Sequence, residues 1–483
     1  MNFSRDVVDA APRADRALVE LARDGSRREW SFGEVSDHAA RLAGTFQARG
    51  ITKGDVVMTL IGNRPEWVLS MVACFRIGAI ALPGNEQLRA KDLRQRIDAA
   101  HPKLIVADER NASELDAARP DCEVILVPDP EMYTSADPAS AVDLSPTDPC
   151  LITFTSGTTG EAKGVVHGQR YLPGQALQAT EWLDARRGDL VWCTAASGWS
   201  KSARNVFIAP WINGAAALLH DARFDPAERL EILEREHVNV LCMAPTEYRV
   251  IAKRVGVRPL TRLRGLVAAG EALNPEVLRA WHDATGLWIR DGYGQTETGQ
   301  LTGVPAGGEV RPGSMGRPLP GIGLDVRDGE LVLGDPTTDP TFFVGYLDGT
   351  PAPESVPWPT GDRVRADQDG YLYFEGRTDD VIISAGYRIG PFEVESALVS
   401  HAAVAEAAVV AAPDEERGAV VRAVVVLRDG HAPSDALISD LQEHVRNQTA
   451  PYKYPRIVDF ADELPKTTSG KVKRALLRDQ TRR

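Results

Sequence analysis

Leu263-Arg264-Gly265-Leu266-Val267-Ala268-Ala269-Gly270-Glu271-Ala272-Leu273-Asn274-Pro275 is the stretch that decides the fold. Leu263 to Ala269 is an apolar run of strand length, and Gly270-Glu271 is a turn. Asn274 is a helix N-cap with Pro275 at the first helical position, and Gly286 is the C-terminal stop. A strand that runs through a turn into a capped helix is the repeating half of a parallel β-sheet protein. Outward from this unit the pattern recurs. Asp55 to Ile61, Lys103 to Ala107, Val124 to Val127 and Val238 to Met243 read as short buried strands, separated by helical stretches such as Arg94 to Ala100 and Pro226 to His237. The alternation predicts an α/β protein with largely parallel sheets. In such sheets ligands sit beyond the carboxyl ends of the strands, which puts Gly270 and Glu271 beside one.

Beyond about residue 305 the composition shifts. Glycine, proline and aspartate become frequent from Pro305 to Gly370, and pieces such as Glu330 to Leu333 read as short strands joined by tight turns. After Gly376-Arg377-Thr378-Asp379-Asp380 about a hundred residues carry a mixed pattern of their own. Val381 to Ser384 is a strand, a helix begins at Pro391, strands cover Glu406 to Ala411 and Arg422 to Leu427, and a helix covers Pro433 to Asn447. The expected organisation is an α/β N-terminal domain, 1–376, with mixed and parallel sheets and a β-rich subdomain from about 305 to 376. A hinge at 377–380 then leads to a small α+β C-terminal domain, 381–483. No internal repeat or low-complexity segment is visible.

Composition narrows the function classes. The chain has 483 residues, 43% hydrophobic and 25% charged, which suits an ordinary globular protein with a large core. Met1 to Glu20 mixes Arg with Asp and Glu and lacks an apolar core segment, so no secretory leader is expected. The longest apolar stretch, Trp67 to Pro83, is broken by Arg76 and too short to span a bilayer. Cys74, Cys122, Cys150, Cys193 and Cys242 are widely spaced and form no Cys-x-x-Cys pair, which suggests free thiols in a reducing cytoplasm rather than disulfides or zinc. A net charge of −13 argues against nucleic-acid binding. From Pro451 to Arg483, however, nine Lys/Arg face four Asp/Glu, so this end suits an anionic partner.

The chemistry starts at Thr153-Phe-Thr-Ser-Gly-Thr-Thr-Gly-Glu-Ala-Lys-Gly-Val-Val-His167. Glycines let backbone N–H groups converge on an anion, hydroxyls add donors, and Lys163 supplies a point charge, so the stretch reads as a phosphate cradle. It has no Walker register, and neither does Gly470-Lys471, where Pro465 and Val472 occupy the required positions. Gly321-Ile322-Gly323 is no dinucleotide fingerprint, since the third glycine and the following helix are missing.

Further motifs follow in order. They are Gly270-Glu271-Ala272, then Asp291-Gly292-Tyr293-Gly294-Gln295-Thr296-Glu297-Thr298-Gly299, then Gly313-Ser314-Met315-Gly316-Arg317-Pro318, then Thr360-Gly361-Asp362. Gly376-Arg377-Thr378-Asp379-Asp380 runs on into Gly386-Tyr387-Arg388-Ile389-Gly390-Pro391, and Leu464-Pro465-Lys466-Thr467-Thr468-Ser469-Gly470-Lys471 comes last. In this order the set resembles the adenylate-forming superfamily of acyl-CoA synthetases, carrier-protein adenylation domains and beetle luciferases. The resemblance covers nearly the whole chain.

The resemblance implies a reaction in which a carboxylate attacks the α-phosphorus of ATP and a thiol then attacks the acyl-adenylate. Both partners of the first step are anionic, so positive charge and aligned donors matter more than a general base. It implies that Thr155, Ser156, Gly157, Thr158, Thr159, Gly160 and Lys163 cradle the β- and γ-phosphates. Glu297 would hold Mg²⁺, with Thr158 as a further oxygen donor. Tyr293 would stack on adenine opposite Gly270, Glu271 and Ala272, while Asp291, Gly292, Gly294, Gln295 and Thr296 complete the nucleotide site with Arg388. Asp362 and Arg377 would bind the ribose hydroxyls. Lys471 would reach the α-phosphate and the attacking oxygen as the catalytic lysine. Rotation of the small domain about Asp379 would exchange Lys471 for a thiol channel lined by Gly386.

Ser384-Ala385-Gly386-Tyr387-Arg388-Ile389-Gly390-Pro391-Phe392-Glu393-Val394-Glu395 and Ala450-Pro451-Tyr452-Lys453-Tyr454-Pro455-Arg456 look most like medium-chain acyl-CoA synthetases and related aryl-CoA ligases. That branch implies coenzyme A contacts at Ala385, Gly386, Tyr387, Arg417, Tyr454, Pro455 and Arg456. Acetyl-CoA synthetases carry a tryptophan immediately before the Gln-Thr-Glu, where this chain has Gly294. Absence of roughly 200 Å² of indole should open room for several methylenes or a ring. Gly198-Trp199-Ser200-Lys201 matches a Gly-Trp element of the medium-chain branch, which makes Trp199 the other candidate wall of the acyl pocket. Ala162 replaces a proline usual before the loop lysine. The leading reading is an ATP-, Mg²⁺- and coenzyme A-dependent ligase for a medium-chain or aromatic carboxylic acid, cytoplasmic, with no nucleic-acid partner and no membrane span. A carrier-protein loading enzyme and an inactive nucleotide-binding relative are the alternatives, and assembly into a homo-oligomer is left open.

Overall fold

The computed structural model describes residues 1–155, 162–270, 273, 275–354, 356–378, 380–385, 387–466 and 472–479, without the side chains of 388 and 479. It divides into two compact units, Met1–Gly323 with Asp335–Val356, and Leu324–Gly334 with Pro357–Arg483.

The first unit contains two large sheets. Five neighbouring pairings in the nine-stranded sheet are parallel and join Ile289–Gln295, Gly265–Ala269, Val240–Met243, Leu190–Cys193, Ala216–His220 and Arg16–Leu21 in that spatial order. The seven-stranded sheet has a parallel heart of Pro149–Thr155, Ile80–Gly84, Val56–Leu60, Leu104–Asp108 and Glu123–Val127. These runs are rich in Val, Ile, Leu and Ala because strands covered on both faces have no polar side to show. Leu218, Leu241 and Leu266 from neighbouring strands pack with Trp192, Tyr248 and Trp281 in one buried cluster.

Helix ends follow local chemistry. Ser31 caps Phe32–Ala48 by accepting from Glu34 N, while the Glu34 carboxylate accepts from Ser31 N. Pro275–Thr285 starts on its proline, and Gly286 follows it at φ +74°. The proposed N-cap, Asn274, lies outside the described residues.

Each sheet gains an antiparallel hairpin where its parallel order ends. Pro149–Thr155 returns as Lys163–Gly168, and Ile289–Gln295 returns as Gly299–Gly303. The second signature motif therefore sits on the turn of its hairpin, at the carboxyl end of Ile289–Gln295, and the described ends of the first, Thr155 and Lys163, face each other across the other hairpin.

The second unit has a four-stranded antiparallel sheet, Leu324–Arg327, Glu330–Leu333, Trp358–Ala366 and Leu372–Arg377. It also has a hairpin, Ile382–Ser384 with Tyr387–Ile389, and a three-stranded sheet of Val404–Asp414, Gly418–Leu427 and Ile457–Phe460. The sequence groups the four-stranded sheet with the N-terminal domain, whereas its contacts lie in the second unit. Phe374 at its end meets Phe392 of the helix Pro391–Ser400 with ring centroids 6.4 Å apart, and a Cβ on Gly376 would stand 3.3 Å from Pro391 Cδ. No described helix is long and apolar enough to cross a membrane.

Candidate active site

The phosphate-loop hairpin closes where Thr155 pairs with Lys163, whose carbonyl accepts from Thr155 Oγ1 at 3.5 Å. Ser156, Gly157, Thr158, Thr159 and Gly160 lie outside the described residues. The Lys163 side chain is exposed, and its Nζ stands 5.7 Å from the centre of the Tyr346 ring. His167 at the far end of the same strand is buried, and burial lowers its imidazole to about 3. It stays neutral, so Lys163 is the cation of this hairpin.

The second hairpin is held by close backbone approach. A Cβ on Gly294 would overlap the carbonyl oxygen of Gly299, and one on Gly292 would come within 2.8 Å of both Thr302 O and Trp182 Nε1. Gly299, at φ +68°, leaves only 2.5 Å between such an atom and Thr341 Oγ1. These glycines exist for packing. This changes the reading of Gly294, since the side-chain direction there points into its own hairpin rather than into open acyl space. Asp291 is buried and accepts from Gly292 N at 2.8 Å; burial pushes its carboxyl well above the ordinary range. It lies under the hairpin, hydrogen-bonded to the backbone of the next residue.

The turn Gln295 to Thr298 is tied by Gln295 N to Thr298 Oγ1 at 3.0 Å, and places Thr296 and Glu297 at its tip. Its support comes from a segment the sequence reading passed over. Thr341 Oγ1 lies 2.6 Å from Thr298 O and 2.7 Å from Asp339 Oδ1, and Phe343 N donates to Glu297 O at 2.8 Å. Tyr346 Oη donates to Glu297 Oε1 at 3.2 Å. The other Glu297 oxygen has no protein partner among the described residues, and a carboxylate oxygen is the kind of ligand a hard cation takes together with water and phosphate oxygens; no cluster of three or more His, Cys, Asp or Glu suited to a metal occurs among the described residues. Tyr293 is half-buried beside this turn, its N–H donating to Thr302 Oγ1.

At the carboxyl end of Gly265–Ala269, Gly270 has φ +104°, and Lys201 Nζ donates to Ala269 O at 2.7 Å. Glu271 and Ala272 lie outside the described residues. Trp199 is half-buried on a turn whose Ser202 N–H donates to Trp199 O at 2.9 Å. Gly198 presses that turn onto the end of Ile80–Gly84, with 2.6 Å left between a Cβ there and the Gly84 carbonyl carbon.

In the second unit Asp362 and Arg377 are register partners on adjacent strands, and Arg377 Nη1 lies 3.2 Å from Asp362 Oδ1. The two residues assigned to the ribose are thus brought together. Ala385, at φ +48°, donates its N–H to Arg417 O at 3.0 Å. Tyr387 stacks on Tyr452 at 4.3 Å, both rings largely exposed, while Tyr454 meets Arg446 at 3.8 Å and Arg456 at 4.9 Å. Pro455 is buried. Of the proposed coenzyme A residues, Tyr387 is thus brought against Tyr452, and Tyr454 lies with Arg456 and Arg446, while Ala385 meets the backbone of Arg417. Gly386, Asp379, Lys471 and the Arg388 side chain lie outside what is described.

The profile of the AMP-binding enzyme family matches residues 5–336, and that of the AMP-binding enzyme C-terminal domain matches residues 393–471. The chain belongs to the AMP-binding enzyme family. Among its relatives, the mitochondrial acyl-coenzyme A synthetase ACSM4 of Rattus norvegicus is 38% identical, over 99% of this chain and 90% of the relative. The acyl–CoA ligase YtcI of Bacillus subtilis is 38% identical over 96% of this chain and 92% of its own. The crystal structure of the anthranilate CoA ligase AuaEII with anthranoyl-AMP has a TM-score of 0.88 at 27% identity, covering 100% of this chain and 97% of that one. This AMP-binding enzyme thus shares both sequence and architecture with acyl-CoA synthetases.

Proposed function

We propose that this AMP-binding enzyme is an ATP-dependent carboxylic acid–CoA ligase for a medium-chain aliphatic or aromatic acid. The observation that carries the reading is the convergence of a cationic hairpin and an acidic turn on one tyrosine, since Lys163 and Glu297 both meet Tyr346. A carboxylate poised for a hard cation beside a glycine-rich loop is what transfer at a nucleotide phosphate needs.

In the first step the acid's carboxylate oxygen bonds to the α-phosphorus and pyrophosphate leaves. In the second the coenzyme A sulfur bonds to the acyl carbon, AMP leaves, and the thiol proton is released. Lys163 and the loop before it grip the departing pyrophosphate. Glu297 would hold Mg²⁺, which would neutralise phosphate charge. Tyr293 and Gly270 flank the adenine, Asp362 and Arg377 take the ribose, and Lys471 orients the attacking carboxylate. Ala385, Tyr387, Arg417 and Tyr454 to Arg456 take coenzyme A, and Trp199 bounds the acyl chain.

Residues 377–380 are proposed as the hinge between 1–376 and 381–483, turning at Asp379. Lys471→Ala should abolish adenylation yet spare thioester formation from supplied acyl-adenylate, and Gly386→Leu should do the reverse; equal loss of both half-reactions in either variant ends the two-conformation scheme. Five free cysteines suit a reducing compartment, for which the cytoplasm is proposed. Pyrophosphate release with MgATP and coenzyme A across acetate, butyrate, hexanoate, octanoate, benzoate and phenylacetate tests the function. Octanoate or an aromatic acid should lead. A preference for acetate rejects the acid assignment, and release without coenzyme A consumption rejects the acceptor.

A further inference from the structure

We infer that Tyr346 is a positioning residue that sets Glu297 for the nucleotide's divalent cation and ties that carboxylate to the lysine-bearing hairpin. The inference rests on the ligase reading and deepens it.

Three independent connections meet within Phe343 to Leu347. Gly345–Tyr346 pairs antiparallel with Lys163–Gly168, in the register Gly345 with Val166 and Tyr346 with Val165. Leu347 N donates to Gly164 O at 2.8 Å, and a Cβ on Gly164 would come within 2.9 Å of Leu347 Cβ, so the segment lies flush against the residue after Lys163. Phe343 N holds the Glu297 carbonyl at 2.8 Å, and Tyr346 Oη holds its carboxylate at 3.2 Å. Main chain and side chain of Glu297 are therefore fixed by the strand that also pairs with the phosphate hairpin.

The ring has its own supports. Phe343 meets Tyr346 edge to face at 4.9 Å, and Lys163 Nζ lies 5.7 Å from the other ring centre of this contact, Tyr346 itself. A phenol carries its proton at neutral pH and a carboxylate can only accept, so in the 3.2 Å contact Oη is the donor. A donor on Oε1 fixes the rotamer of a flexible side chain and leaves Oε2 for the cation. Carboxylates that ligate metals are commonly oriented in this way by a second hydrogen bond. The hydroxyl thus acts on the cation through Glu297, and the ring acts on the phosphates through Lys163. The two functions can be separated by substitution.

Tyr346→Phe keeps the ring and removes the hydrogen bond. Affinity for ATP with Mg²⁺, read by calorimetry on the full chain, should fall about tenfold, the lower end for a lost bond to a charged group. Affinity for ATP without Mg²⁺ should not change. The free Mg²⁺ needed for half-maximal acid-dependent ATP–pyrophosphate exchange should rise by a similar factor, with the rate recovering at saturating Mg²⁺. Tyr346→Leu should also weaken metal-free ATP binding. In a Glu297→Gln background, Tyr346→Phe should have no further effect on the Mg²⁺ dependence.

The proposal is overturned if Tyr346→Phe binds MgATP as wild type does, if it weakens ATP equally with and without Mg²⁺, or if the two substitutions add. Absence of acid-dependent exchange in the wild-type chain would sink the ligase reading alone, because the calorimetric comparison decides the role of Tyr346 without turnover.

Discussion

The Ile289–Gln295/Gly299–Gly303 hairpin and the Tyr387/Tyr452 surface are built on opposite terms. The first is closed by glycines whose missing side chains let backbone meet backbone, with Asp291, Thr298 and Gln300 buried around it. The second is open, with Tyr387 51% and Tyr452 40% exposed and with Lys453, Tyr454 and Arg456 close by. One region sets positions of atoms to fractions of an ångström, while the other offers charge and flat faces to a ligand that can adjust. Loss of one atom of space should therefore be ruinous in the first region, and loss of a whole ring tolerable in the second.

The sharpest way to break this contrast is Gly294→Ala. The added methyl falls on Gly299 O, so the hairpin must shift and carry Glu297 with it. Overpacking of this kind costs about 1–3 kcal/mol, and displacement of a catalytic group by about 1 Å costs roughly a hundredfold in rate. Adenylation should drop by about that factor and the melting temperature should fall; unchanged exchange kinetics would mean the hairpin is more pliant than its contacts imply.

Asp339 gives a pH test of the same region. Burial raises its carboxyl from 3.8 to about 6, and its Oδ2 has no hydrogen-bond partner among the described residues. Between these values the folded chain binds the extra proton, so its contribution to stability is fullest below pH 4 and declines as pH rises through 6. Asp339→Asn keeps the acceptor for Thr341 and carries no charge. The variant should be more stable than wild type above pH 6, by on the order of 2–3 kcal/mol for a shift of about two units, with no gain at pH 4. Thermal melts across pH 4–8 check it, and a difference independent of pH would refute the assignment.

Smaller effects belong to the open surface. Tyr387→Ala or Tyr452→Ala should raise the KM for coenzyme A about tenfold, within the usual worth of a base on an aromatic face, and leave adenylation and melting temperature alone. Arg456→Ala should raise it only a few-fold and make it less sensitive to salt, since exposed charges are screened. A matching loss in the adenylation half-reaction would show that the two regions are not independent.

Much of the fold was legible because its signals are local. Pro275 and Gly286 mark a helix wherever it packs, and the apolar runs around Leu266 and Leu241 can only be covered strands. Pairings across long separations were not legible. Arg27–Ser31 closes the edge of the nine-stranded sheet beyond Arg16–Leu21, itself paired with Ala216–His220, and no periodicity announces which distant strand will be met. Tyr346 is hidden for the same reason, being a two-residue strand whose partner lies at Val165 and Val166. Gly294 shows a different limit. A sequence tells that a side chain is missing but not what fills the space, and here the backbone of Gly299 fills it.

The path of the chain has a consequence for anyone who wishes to take the protein apart. It leaves the first unit after Gly323, lays down Leu324–Arg327 and Glu330–Leu333 in the second, returns for Asp335–Val356, and only then departs for good. A gene stopped at residue 323 would lack the Tyr346 strand, and one begun at residue 357 would leave the edge of Trp358–Ala366 unpaired where Glu330–Leu333 belongs. Dissection has to proceed by excision and splicing, with 324–334 replaced by a short linker in one fragment and fused ahead of residue 357 in the other.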